Sequence, residues 1–163
     1  MRRTTITLLT LLAVASIAVM AVWASSVHYK KGPTVSDNGL TATATGTIAG
    51  LGNGDVIVTL SFPNATGTTT CTNPGGNTAR GQNPAVPAAT SGSVAIDNPK
   101  NGTLSFTVTT TPPPNPTPQA AGCPNGNWSA AFNDLTFGTG TLTIQQDDGT
   151  GNFVTVLTTS VSL

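Results

Sequence analysis

Glutamate is absent from this chain, and charge of either sign is scarce. Lys and Arg together number six, the acids are six Asp, and charged residues make up 7% of the whole. An average domain carries about 25%. Few straight-chain charged residues are left to cover helix surfaces. Histidine occurs once, at His28, and aromatic residues make up only 5%. General acid–base catalysis needs a positioned His, Glu or similar group, and a Ser-His-Asp arrangement would have to borrow His28 from near the N-terminus. No Gly-rich loop lies between a strand and a helix, which argues against a nucleotide site. The chain reads as a non-enzyme with no cofactor and no metal centre.

Basic residues are not clustered either. Beyond Arg2 and Arg3, only Lys30, Lys31, Arg80 and Lys100 remain, against Asp37, Asp55, Asp97, Asp134, Asp147 and Asp148. Nucleic-acid binding requires a basic patch or stripe, so that partner class is excluded. Anionic lipid finds no polybasic surface.

What is present begins with Met1-Arg2-Arg3 and an apolar run from Ile6 to Trp23, followed by Ala24. This is the pattern of a secretory signal, with cleavage expected after Ala24. The alternative is an uncleaved anchor over residues 6–23, just long enough to reach across a hydrocarbon core. Membrane association is expected only in that second case. Both readings put the remainder outside the cytosol, secreted or held at the cell envelope. Residues 25–38 show no apolar periodicity and read as a flexible leader, with a single domain over 39–163.

That domain is rich in Thr, Val, Gly, Asn and Pro. Residues branched at Cβ suit a pleated, half-buried surface, and Gly, Pro and Asn supply turns. Alternation of period two marks the strands. Leu40, Ala42, Ala44 and Ile48 share one face, as do Val56, Val58, Leu60 and Phe62. Leu104, Phe106 and Val108 form another such face, followed by Trp128, Ala130 and Phe132, then by Leu142 and Ile144. In the last strand Phe153, Thr155 and Leu157 share a face opposite Val154 and Val156. Ala65 to Cys71 is a Thr-rich strand. Residues 73–87 read as a long loop and 111–118, with five prolines, as an extended connection. The expected fold is all-β: an immunoglobulin-like antiparallel two-sheet sandwich of about eight strands.

Two cysteines, Cys71 and Cys123, fall in the exported part. An even count in an oxidising compartment implies a disulfide. Closing a ring of about 50 residues is worth about 4 kcal/mol in the loop-entropy model. The two Cys are followed by similar Pro/Asn/Gly segments, and Asn73, Asn77, Asn125, Asn127 and Trp128 are the candidate interaction residues at one polar end. Turn chemistry alone also accounts for these Asn residues. Trp128 is expected in the core beside the disulfide, as in immunoglobulin-like domains; the rival reading makes it a platform for a sugar ring. Asp147-Asp148-Gly149 is a hairpin turn before it is a calcium site. Asn64, Asn101 and Asn127 each open a glycosylation-type triplet.

The segments Cys71-Thr72-Asn73-Pro74-Gly75-Gly76-Asn77, Gly81-Gln82-Asn83-Pro84 and Gly122-Cys123-Pro124-Asn125-Gly126-Asn127-Trp128 resemble those of a group of small, uncharacterised exported bacterial proteins. The resemblance extends from about Gly39 onward. It implies a secreted bacterial β-sandwich and carries over no catalytic or binding residue. The function expected from the residues is structural or adhesive, toward a protein or glycan at the cell exterior. A carbohydrate-binding module using Trp128 and the Asn/Gly loops is the alternative.

Overall fold

The computed structural model describes residues 27–163. The expected signal or anchor, 1–24, lies outside the described residues. Among those described, no helix is long and apolar enough to cross a membrane.

The fold is an all-β antiparallel sandwich, as expected. One sheet has the order β1-β2-β8, with β1 at His28–Asp37, β2 at Ala42–Ala49 and β8 at Thr103–Thr109. The facing sheet has the order β11-β10-β3-β7, from Phe153–Ser162, Thr139–Asp147, Val56–Phe62 and Thr90–Ile96. Inward side chains follow the alternation read from the sequence. Ala42, Ala44, Ile48, Leu104 and Val108 from one sheet meet Val56, Val58, Leu60, Leu142 and Ile144 from the other, all buried. Outward positions carry hydroxyls in register. Thr143 stands beside Thr59, and Thr59 beside Ser93. Across β2 and β8 the Thr43 and Thr109 hydroxyls are 2.8 Å apart. Such cross-strand pairs suit β-branched residues on a solvated face.

A third sheet is built on β4 (Thr66–Thr72). On one side β4 pairs with β9 (Ser129–Thr136), and on the other with two short strands, β5 (Thr78–Arg80) and β6 (Val86–Pro87). Eleven strands are therefore present among the described residues, where about eight were expected.

Three of the expectations need correction. Residues 28–37 are not a flexible leader: they form β1, paired with β2 from His28 opposite Ala49 to Asp37 opposite Ala42. The register shifts between Tyr29 and Thr34, where Gly32 has φ of 60° and Pro33 offers no N–H, so the alternation that marks a strand is broken there. Residues 73–87 are not a plain loop, since β5 and β6 lie within them. In β11, Ile144 pairs with Leu157 and Gln145 with Thr155, leaving Val156 as an extra residue. This bulge reverses the alternation. Val156 and Leu157, adjacent in sequence, both lean on the core, Val154 is half-buried, and Phe153 and Thr155 face solvent.

The two ends of the sandwich differ. At the end where the described chain begins, three loops are tied together. Leu51 N–H donates to Gly102 O at 3.1 Å, Asp147 N–H to Asp55 O at 2.9 Å, and Asn98 N–H to the Asp55 carboxylate at 3.0 Å. Four Asp residues, Asp55, Asp97, Asp147 and Asp148, belong to these loops. The third sheet occupies the opposite end, where Leu135 N–H reaches Gly39 O at 3.1 Å.

Candidate functional site

The disulfide joins Cys71 of β4 to Cys123, with Cα atoms 5.7 Å apart. It does not bridge the two sheets of the sandwich. The third sheet divides into a near half and a far half. Near the sandwich, Ala65, Val86, Phe132 and Leu135 belong to the main core. Farther out, Cys71, Ala121 and Ala130 form a separate small cluster against which Cys123 and Trp128 pack. Three small buried residues offer little apolar area, and a core of that size supplies little stability at about 25 cal/mol per Å². The disulfide is what fastens this tip.

Residues 111–117 lead to it in extended form and end at a single helical turn, α1 (Pro118–Ala121). Thr117 caps the turn, its hydroxyl accepting Ala120 N–H at 3.2 Å, and Pro118 takes the first helical position. Gly122 closes it with φ of 72°, the left-handed conformation that glycine adopts without strain. Cys123 follows, its N–H donating to Pro118 O at 2.8 Å. A four-residue helix has no periodicity to read, which is why the sequence did not announce it.

The segment between β5 and β6 is strapped onto this turn. Gln82 N–H donates to Gly122 O at 3.4 Å and Asn83 N–H to Ala121 O at 3.2 Å. The Asn83 amide donates to Ala120 O at 2.9 Å. Gly81 is buried over β4, its N–H donating to Thr69 O at 2.8 Å. Arg80, Gly81, Gln82 and Pro84 line an open depression of about 490 Å³. In the sequence these residues fall within the stretch expected to be a long loop, where Arg80 carries no motif.

The disulfide brings the two Asn/Gly segments to one end, as their shared Cys-flanking pattern implied. Their Asn side chains are turn residues. The Asn73 side chain accepts Asn77 N–H at 2.9 Å, and that of Asn125 accepts Asn127 N–H at 3.0 Å. Asn77, Asn125 and Asn127 are exposed and Asn73 is half-buried. Trp128 is half-buried against the disulfide cluster, outside the main core. The triplet residues Asn64, Asn101 and Asn127 are all exposed.

The Asp-rich turn at the far end is closed on itself. The Asp147 carboxylate accepts Gly149 N–H at 2.8 Å and Gly151 N–H at 3.1 Å. The Asp148 carboxylate accepts both the hydroxyl and the N–H of Thr150, and these bonds hold its pKa below the usual carboxylate range. Among the described residues no three His, Cys, Asp or Glu side chains come together as a metal site. Comparison with protein-family models, curated proteins and solved structures finds no match to this chain.

Proposed function

We propose that this is a non-enzymatic exported domain whose sandwich serves as a rigid body and whose disulfide-pinned sheet is the interaction tip, in a structural or adhesive role at the cell exterior. The observation that carries the reading is the position of the disulfide. It fastens the appended tip, where the hydrophobic core is smallest, and leaves the sandwich to its own packing. Exposed segments held by a rigid scaffold are common recognition surfaces. A disulfide also suits an oxidising compartment, in keeping with secretion after a signal cleaved at Ala24 or with a tether over residues 6–23. Because the described chain begins at the opposite end, a tether would present the tip away from the membrane.

Labelled protein added to cells of the source organism is expected to bind their surface, and to lose that binding when the disulfide is reduced. Binding that is indifferent to reduction contradicts the tip assignment. Intact mass from culture medium and from membranes separates the two localisations. A chain starting at Ser25 and two hydrogens short, found in the medium, is the secreted form.

A carbohydrate-binding role is the second reading, favoured by the half-exposed Trp128. Sugar stacking on the indole face would shift its fluorescence on titration, and Trp128→Ala would abolish the response while the sandwich stayed folded.

A further inference from the structure

The geometry points to the Arg80 depression as a carboxylate-binding subsite, and we infer that its ligand is an acidic glycan, a polyuronate chain. The inference rests on the tip reading above and names the chemistry of its ligand.

Arg80 is the one arginine among the described residues, and it is exposed on β5, opposite Thr70 of β4. A guanidinium presents a planar fork of donors that fits a carboxylate with two parallel hydrogen bonds. Charge is distributed in its favour. Four of the six Asp lie in the loops at the other end of the molecule, where Asp147 and Asp55 are in direct contact. Asp134, the acid nearest in the tip sheet, stands on β9, beyond β4 from Arg80. Two strand spacings separate those positions, about 10 Å.

The depression is also preformed. Gly81, Gln82 and Pro84, which line it with Arg80, belong to the strap held by Gly122 O, Ala121 O and Ala120 O. The disulfide begins at the residue after Gly122. Little ordering is left to occur on binding, and that cost is one that binding energy otherwise has to offset. Gln82 adds a neutral amide for hydroxyls and Pro84 an apolar rim.

A peptide fits less well. Peptides that dock on sheet edges add a strand, and β5 is three residues long. A nucleic acid would need several cations, and here there is one. A hydroxyl-rich chain with one carboxylate per residue matches a shallow groove with one guanidinium and one amide.

The test is calorimetric titration of the purified protein with oligogalacturonate and with its methyl ester, which keeps every hydroxyl and removes the charge. The acid form is expected to bind and to weaken with added salt. Arg80→Gln should lower the affinity about ten- to a hundredfold, with Arg80→Lys in between and thermal unfolding unchanged in both. Equal affinity for acid and ester overturns the inference, as does Arg80→Gln binding like the parent protein. Absence of binding, or preference for a peptide ending in a free carboxylate, overturns it as well. Ester bound as well as acid, and lost in Trp128→Ala, overturns the carboxylate inference while supporting the tip.

Discussion

A methyl group placed on Gly81 would lie 2.1 Å from the Thr69 hydroxyl and 2.7 Å from Ala121 O. The strap and β4 therefore touch backbone to side chain, with no room for a Cβ. Gly81→Ala is expected to destabilise the tip by about 1–3 kcal/mol, the usual range for overpacking a close contact. The Thr69 hydroxyl beneath is buried without a hydrogen-bond partner, and such a group carries a desolvation cost. Thr69→Val keeps the shape and removes the hydroxyl, and should stabilise by about 1 kcal/mol. Urea denaturation of both variants, followed by Trp128 fluorescence, reads both effects. Tolerance of Gly81→Ala would mean that the strap is not seated as described.

Gln146 clamps the loop at the other end. Its amide N–H donates to Gly52 O at 2.9 Å and its amide oxygen accepts Gly52 N–H at 3.2 Å, with the side chain 6% exposed. Gln146→Leu removes both bonds and leaves two backbone groups without partners. The expected cost is about 2–4 kcal/mol, seen as a lower thermal midpoint, with faster amide exchange at residues 50–55.

Strands β2, β3, β8 and β10 of the central sandwich were legible because each carries uninterrupted alternation. Val56, Val58, Leu60 and Phe62 are the clearest case, and all four are fully buried. Legibility failed wherever the backbone inserts a residue or an element is too short to show a period. Gly32-Pro33 hides β1, the extra Val156 hides the reversal in β11, and β5 and β6 are too brief to register. Cysteine count gave the disulfide but not its place. Without knowing which sheet holds β4, the sequence could not distinguish a bond across the sandwich from one at its tip. Trp128 follows the same logic. Its neighbour Cys123 was foreseeable, whereas its exclusion from the main core depends on the third sheet.

Tyr29 offers a direct probe of β1. It is the only tyrosine of the chain, and its ring packs against the core beside β11. Burial pushes its pKa up, and the nearby Thr159 side chain opposes this only in part; the hydroxyl has no partner in hydrogen-bonding geometry. Ultraviolet titration should give a value above the ordinary tyrosine pKa of about 10. The sign of the linkage follows. A pKa higher in the folded than in the unfolded chain leaves this contribution intact below about pH 10. It is lost as pH rises toward and through the folded value. Tyr29→Phe should remove that alkaline sensitivity and, by deleting an unpartnered buried hydroxyl, leave stability at neutral pH equal or slightly higher.

The central claim is that the disulfide fastens the tip and not the sandwich, and hydrogen exchange of the oxidised and reduced protein tests it most directly. Losing the ring removes about 4 kcal/mol in the loop-entropy model, and the small cluster of Cys71, Ala121 and Ala130 has little else to hold it. Reduction should therefore speed exchange across residues 69–85 and 118–131. Protection should persist in β2, β3, β8 and β10, whose buried residues belong to the main core. Equal loss of protection in tip and sandwich, or no change in either, would contradict the account.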